Sequence, residues 1–217
     1  MLLNKKFKVD PRILVSLWGI ETYFGKHIGK LDILRSLLSL AYDGRRQEFF
    51  LKEFKLALKI LEDGHVSQKD FRGSWAGAFG QTQFMPSTFH KFAIDFDNDN
   101  KINLFKKSDA LASGANYLNQ VGWNNNLLWG EEVKITITDK LSNLSQKKKY
   151  KTKKFWERNG ISFKNNYNEK VLMRLVIPDL EGTKFFLVTK NFDVILDWNR
   201  SNYFALTVFL LSDEVIK

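Results

Sequence analysis

The sequence predicts an α+β fold that is mainly α: a helical body with a small β-rich subdomain inserted before the last helix. Three observations carry this. Helix start, stop and spacing signals fill most of the first 121 positions. After about Trp129 the pattern changes to short alternating or β-branched runs. An apolar stretch at the end of the chain, from about Ser201 to Leu211, then reads as a buried helix. On these grounds the chain divides into a core at 1–129, a β-rich subdomain at 130–197 and a segment at 198–217 that returns to the core.

Asp10-Pro11 is a helix start, with Asp as N-cap and Pro at the first helical position. That helix is expected to run to about Phe24, where Gly25 can end it. A second helix is expected over 31–42 and a third over 46–62, with Phe50, Phe54, Ala57, Leu58 and Leu61 on one face and Gly64 closing it. Residues 72–86 are rich in glycine and aromatics, and glycines let backbone approach a ligand or helix closely. A short helix is expected from Pro86, an acidic loop at 95–103, and a helix from Ser108, as cap, to Val121. Strands are expected at 133–138, 171–177, 185–189 and 194–196. The stretch 147–154, with six lysines, is expected to be a solvated loop that can also touch an anionic polymer.

The 217 residues allow one large domain, or a core with a smaller one appended. The formal net charge of +10 attracts polyanions, whether nucleic acid, anionic lipid or acidic cell-wall polymer, without choosing among them. The absence of cysteine excludes disulfides, cysteine zinc sites and thiol catalysis. No apolar run reaches the roughly 20 residues that span a bilayer. The N-terminal stretch shows no secretory signal. No phosphate-binding glycine loop, dinucleotide fingerprint or nucleophile elbow is present, and His27, His65 and His90 lack metal-ligand spacing. The basic residues form no helical stripe or aromatic-basic module, so nucleic acid is not an expected partner.

Three constellations can carry chemistry. Glu21 sits in the otherwise uncharged stretch 17–25, with Leu17, Trp18, Phe24 and Gly25 as its helical neighbours. Desolvation disfavours a carboxylate, so its pKa is expected to rise, which suits a general acid near neutral pH; a partly exposed helix-edge Glu is the plain alternative. The loop 77–87 adds the amides of Gln81 and Gln83, with Ser74 nearby, and Trp75, Phe79 and Phe84 as faces for pyranose rings. A packed glycine turn with surface glutamines explains the same residues. Asp95, Asp97 and Asp99 match the first, third and fifth positions of an EF-hand loop, with the Lys101 carbonyl as the seventh. Position 6 is Asn100 rather than Gly, and position 12 is Lys106 rather than Glu. Closure on Asp109 would complete a Ca²⁺ site, and an acidic surface turn is the alternative. Late in the chain, Asn199 in the run 198–204 can hold a substrate amide or hydroxyl, or can simply cap a helix.

Five ordered motifs, WGIETYFGKHIG, GSWAGAFGQTQFMPST, AIDFDNDNKINLF, ANYLNQVGW and NFDVILDWNRSNYFAL, give the chain a resemblance to the membrane-bound B type of lytic murein transglycosylases, glycoside hydrolase family 103. It extends from about Val9 to Ile216. The resemblance implies a lysozyme-like helical core and cleavage of the β-1,4 bond between N-acetylmuramic acid and N-acetylglucosamine without water, leaving 1,6-anhydromuramoyl ends. It implies Glu21 as the sole acid and base. It makes Ser74, Gln83, Tyr117 and Asn199 groove residues, with Trp198 and Phe204 as groove aromatics and Arg45 and Arg46 near the peptide side; Gln81 and Phe84 are counted as substrate-binding from the chemistry of the loop itself. It implies a structural Ca²⁺ on Asp95, Asp97, Asp99, the Lys101 carbonyl and Asp109, no organic cofactor, peptidoglycan strands as partner, a monomer, and a periplasmic or envelope location. Trp198 and Phe204 depart from the family's usual Tyr, and the relatives' N-terminal anchor and further helical stretch are not seen ahead of the core. A peptidoglycan-binding protein without activity and a hydrolytic lysozyme are the alternative readings.

Overall fold

The structure is a computed structural model describing residues 2–178 and 184–215. The chain forms two compact units. One takes the chain up to Gln120 and again from Ser212; the other is Val121–Leu211. Among the described residues no helix is long and apolar enough to cross a membrane. The end of the family resemblance at Ile216 lies outside the described residues.

The first unit is helical. Helix α1 (Leu2–Phe7), which the sequence did not announce, is followed by α2 (Pro11–Thr22). The Asp10 carboxylate caps α2 by accepting from the Arg12 amide at 2.9 Å, while Pro11 fills the first turn. Strand β1 (Leu31–Asp32) precedes α3 (Ile33–Tyr42), which Asp32 caps through the Arg35 amide at 3.0 Å. Helix α4 (Gln47–Glu62) packs against α3. Strand β2 (Arg72–Gly73) pairs antiparallel with β1, Leu31 facing Gly73. Helices α5 (Pro86–Phe92) and α6 (Lys107–Gln120) complete the unit.

Helix α6 is its axis. Ala110, Ala112, Ser113, Gly114, Ala115 and Leu118 are buried on it, small enough for α1, α2 and α5 to pack closely. Phe71, Phe79 and Phe89 form an aromatic cluster, Phe71 edge-on to Phe79 and Phe89 tilted against it, with ring centroids 4.9 and 5.8 Å apart. Each buried Phe or Leu here contributes about 1.5–3 kcal/mol of apolar transfer. Two expectations need correction. Helix α6 begins at Lys107, so Ser108 lies inside it rather than capping it. The buried face of α4 is Glu53, Ala57 and Ile60, with Leu58 exposed. Glu53 faces inward because its carboxylate accepts the Ser87 amide at 2.8 Å, capping the start of α5.

The second unit is built on an antiparallel sheet of order β3-β6-β5-β4. The strands are β3 (Gly130–Val133), β4 (Lys151–Thr152), β5 (Leu172–Val176) and β6 (Phe185–Val188). Helices α7 (Asp139–Gln146) and α8 (Lys153–Arg158) lie between its strands in the chain, and Thr138 and Thr152 cap them. Met173, Leu175 and Leu187 point to one face, into a core around the fully buried Trp156, whose indole N–H donates to the Met173 carbonyl at 3.0 Å. Trp129, Phe192 and Phe209 stack on one another, Trp129 and Phe209 at 5.0 Å. The ladder of β3 stops at Val133, opposite Phe185; Ile135 and Ile137 bury their side chains alternately without strand pairing. Residues 194–196 are not a strand. They lie in helix α9 (Lys190–Trp198), because a short apolar run reads alike for both. Helix α10 (Asn202–Glu214) follows. The lysine stretch is also not a plain loop, since it forms β4 and opens α8.

Candidate active site

Glu21 lies in the last turn of α2, half-buried and engaged by a neighbour. One residue later the helix stops, because Tyr23, Phe24 and Gly25 are all left-handed, with φ of 50, 59 and 83°. Two non-glycine residues in that region are uncommon. The turn folds the Phe24 ring back along the helix, edge-on to Trp18 at 5.5 Å and directly over Gly19. A Cβ on Gly19 would meet that ring at 2.9 Å, so the glycine is needed for the close approach.

Gln81 locks this helix end to the glycine-rich loop. Its Oε1 accepts from the Trp18 indole at 2.8 Å and its Nε2 donates to the Phe105 carbonyl at 2.6 Å. Its backbone carbonyl accepts from the Thr22 hydroxyl at 2.9 Å, and its amide donates to the Leu104 carbonyl at 2.8 Å. The Thr22 oxygen in turn accepts from the Gly25 amide at 3.1 Å. Gln81 is 5% exposed and each of its polar atoms is used within the protein, so it positions the site instead of offering an amide to a ligand. That corrects the expectation from sequence.

The loop itself is closed by short-range bonds. The Ser74 hydroxyl accepts from the Ala78 amide at 3.0 Å, and its own amide donates to the Ala78 carbonyl at 2.8 Å. Phe79 and Phe84 exchange two backbone bonds of 3.0 Å. Gln83, at φ 50°, donates from Nε2 to the carbonyls of Ile28 and Gly80 at 3.0 and 2.9 Å, which leaves its Oε1 as the acceptor. Phe84, 3% exposed, and Phe79 are core residues rather than sugar platforms, a second correction. Trp75, at 67% exposure, is the one of the three whose ring is open to solvent. Tyr117 on α6 is half-buried, edge-on to Phe92 at 4.6 Å.

Arg45 and Arg46 stand exposed between α3 and α4. Arg45 lies 3.8 Å from Asp43, while Arg46, left-handed at φ 59°, covers the Phe49 ring at 4.1 Å. Trp198, Asn199 and Phe204 belong to the second unit. Asn199 ends α9 and its Oδ1 accepts from the Ser201 amide at 3.1 Å, so it does serve as local capping chemistry.

In the acidic loop, carboxylate oxygens of Asp95, Asp97 and Asp99 lie within 4.8 Å of one another. Asn98 and Asn100 take positive φ, as the missing glycine requires. An all-oxygen donor set of this kind suits a hard cation such as Ca²⁺. Asp109 is outside that cluster; fully buried, it accepts from the Phe96 and Asn103 amides at 3.1 and 2.8 Å. Lys106 was not foreseen as a participant. Its ammonium pairs with Asp97 at 3.2 Å and with Asp99. The hydrogen bond to Asp99 raises the Lys106 pKa, and the same bond lowers that of Asp99. The signal was present in sequence: a lysine at the position where an EF-hand closes with Glu.

Residues 2–213 match the family described as Transglycosylase SLT domain, and the chain belongs to it. The fold is the lysozyme-like fold of lytic transglycosylases. Over 215 residues the chain is 32% identical to membrane-bound lytic murein transglycosylase B of Escherichia coli K12, covering 96% of this chain and 58% of that protein. It is similar to SltB3 of Pseudomonas aeruginosa, solved in complex with NAG-NAM-pentapeptide, at TM-score 0.92 and 38% identity over 98% of this chain and 58% of that one. The Escherichia coli lytic transglycosylase Slt35, solved in complex with calcium, matches at TM-score 0.86 and 28% identity, over 99% of this chain and 68% of that one. The chain thus spans little more than half the length of the first two.

Proposed function

We propose that this chain is a lytic transglycosylase of peptidoglycan, cleaving between N-acetylmuramic acid and N-acetylglucosamine with Glu21 as its one acid and base. The observation that carries this is the helix end bearing Glu21, held by Trp18, Thr22 and Gln81 against the glycine-rich loop.

Protonated Glu21 gives its proton to the glycosidic oxygen. The sugar's N-acetyl group meets the positive charge that develops at C1, so no second carboxylate is needed. The Glu21 carboxylate then takes the proton of the C6 hydroxyl as that oxygen attacks C1, closing the 1,6-anhydro ring. Most glycosidases use two carboxylates; this reaction uses one. Within the first unit, Trp75 offers a stacking face and Ser74, the Gln83 Oε1 and Tyr117 offer groove contacts; Trp198, Asn199 and Phe204 are sugar contacts offered by the second unit on its own. Arg45 and Arg46 offer cations to the peptide. The substrate sets the working place in the cell envelope. A structural Ca²⁺ on Asp95, Asp97 and Asp99, with the Lys101 carbonyl and Asp109, belongs to the same reading. Lys106 must withdraw for it to bind.

Glu21→Gln, assayed on purified peptidoglycan with mass spectrometry of the products, tests the reading. The expected result is a loss of anhydro-ended muropeptides by about 10²–10⁴-fold. Wild-type release by the variant, or products carrying an added water, refutes it.

A further inference from the structure

The second unit contains a cavity of about 540 Å³ with an unusual lining. Lys148, Arg174, Lys190 and Arg200 face it, against the carboxylates of Asp193 and Asp197. Arg174 comes from β5 and its side chain is 3% exposed. Arginine is almost never buried without a partner. Its Nε and Nη2 both donate to one oxygen of Asp193, at 3.2 and 2.9 Å. The other oxygen of Asp193 accepts from the Tyr150 hydroxyl at 2.6 Å and from Lys190 at 3.3 Å. Lys190 also lies over the Tyr150 ring at 4.0 Å. One carboxylate therefore serves two full cations and a phenol. Asp197 makes no ion pair among the described residues, and Lys148 and Arg200 stand exposed at the rim.

A buried ion pair is a weak stabiliser, and apolar residues of the same volume often do as well. The arrangement is better explained by a ligand. The surplus of cations calls for an oxyanion. The two carboxylates would repel a phosphate dianion, while Asp197 suits an ammonium group. The volume falls in the range of small-molecule pockets and exceeds that of an inorganic ion. We propose that this pocket binds the end of a peptide that carries a free carboxylate and an amine, the carboxylate lying against the exposed cations Lys148, Lys190 and Arg200. That its natural source is the peptide of peptidoglycan rests on the function proposed above. Of the lysine stretch at 147–154, with no part in that reaction, Lys148 gains a role at the rim of this pocket.

The test uses the full chain, isotope-labelled, titrated with the peptide Ac-Lys-D-Ala-D-Ala and followed by amide chemical shifts. The expected result is saturable shifts around residues 148–150, 174 and 190–200. Amidating the peptide's C-terminus should abolish them. The double variant Lys148→Gln/Arg200→Gln, altered only at exposed positions, should weaken binding by roughly five- to tenfold, as loss of two exposed charge pairs implies. Shifts confined to other regions, equal binding of the amidated peptide, or unchanged affinity in the double variant overturn the proposal. So does tighter binding of inorganic phosphate than of peptide. The measurement needs no cleavage: peptide binding without activity would sink only the proposed reaction, and activity without binding here would sink only the pocket.

Discussion

Replacing Gln81 by Leu keeps most of the side-chain volume and removes two hydrogen bonds, from the Trp18 indole and to the Phe105 carbonyl. The backbone bonds of residue 81 to Thr22 and Leu104 remain possible. An unpaired buried polar group costs about 1–3 kcal/mol. Trp18 is half-buried, so water covers part of its loss. The sum is about 2–4 kcal/mol, or roughly 5–15 °C in Tm for a protein of this size. Urea denaturation and thermal melting of the variant measure it. A double-mutant cycle with Trp18→Phe isolates the bond: Phe has no N–H to orphan, so the Trp18 substitution should cost less in the Gln81→Leu background. Cleavage should fall more than stability at a temperature where both proteins are folded, because Glu21 sits one helical turn from Trp18. A Gln81→Leu protein within 0.5 kcal/mol of wild type, or costs that simply add, would refute the claim that Gln81 positions the helix end.

Lys106→Gln should bind Ca²⁺ about three- to tenfold more tightly by calorimetry, because an ammonium no longer competes for Asp97 and Asp99; unchanged affinity would mean that Lys106 swings clear at no cost. Burial alone would raise the Asp193 carboxyl, but the Tyr150 hydroxyl and Arg174 hold it below the ordinary range. Its contribution is therefore present above the unfolded value of about 3.9 and is lost as pH falls through the folded one. The stability gap between wild type and Asp193→Asn should shrink between pH 6 and pH 3 in urea titrations. Burial and the Asp193 charge push the Tyr150 phenol well above the usual tyrosine range, so its contribution is full below about pH 10 and is lost above; Tyr150→Phe should flatten that alkaline limb. Trp75→Ala should leave the melting temperature almost unchanged and weaken glycan binding by up to about tenfold, as loss of one stacking face implies.

Signals local to the backbone were legible in sequence. Asp10-Pro11 fixes the start of α2 because cap and first-turn proline act within three residues. The facing of α4 was not, because Glu53 turns inward to serve the start of α5, a contact 34 residues away in sequence. Helix α9 was misread because Phe192, Val194 and Ile195 are apolar neighbours whether the chain is helix or strand. In the site, Glu21 stood out by its uncharged neighbours. Gln81 and Gln83 looked alike, since an irregular loop has no period that says which side chain turns in. The positive φ of Gly80 and Gln83 makes that choice. Arg174 gave no sign at all: a lone basic residue in a strand reads as solvent-facing until Asp193 and Tyr150 are brought to it by the fold.

The helical unit is discontinuous, resuming at Ser212 after the whole second unit. Ser212 is buried, and the charge of Asp213 acts on Arg12 in the first turn of α2. On the ribosome this imposes an order. Helix α2 is made before the second unit, yet a segment it interacts with is translated only after that entire unit has been synthesised. The unit that carries Glu21 is thus opened before the second unit and closed after it, and a chain stalled anywhere in the second unit holds α2 without that neighbour.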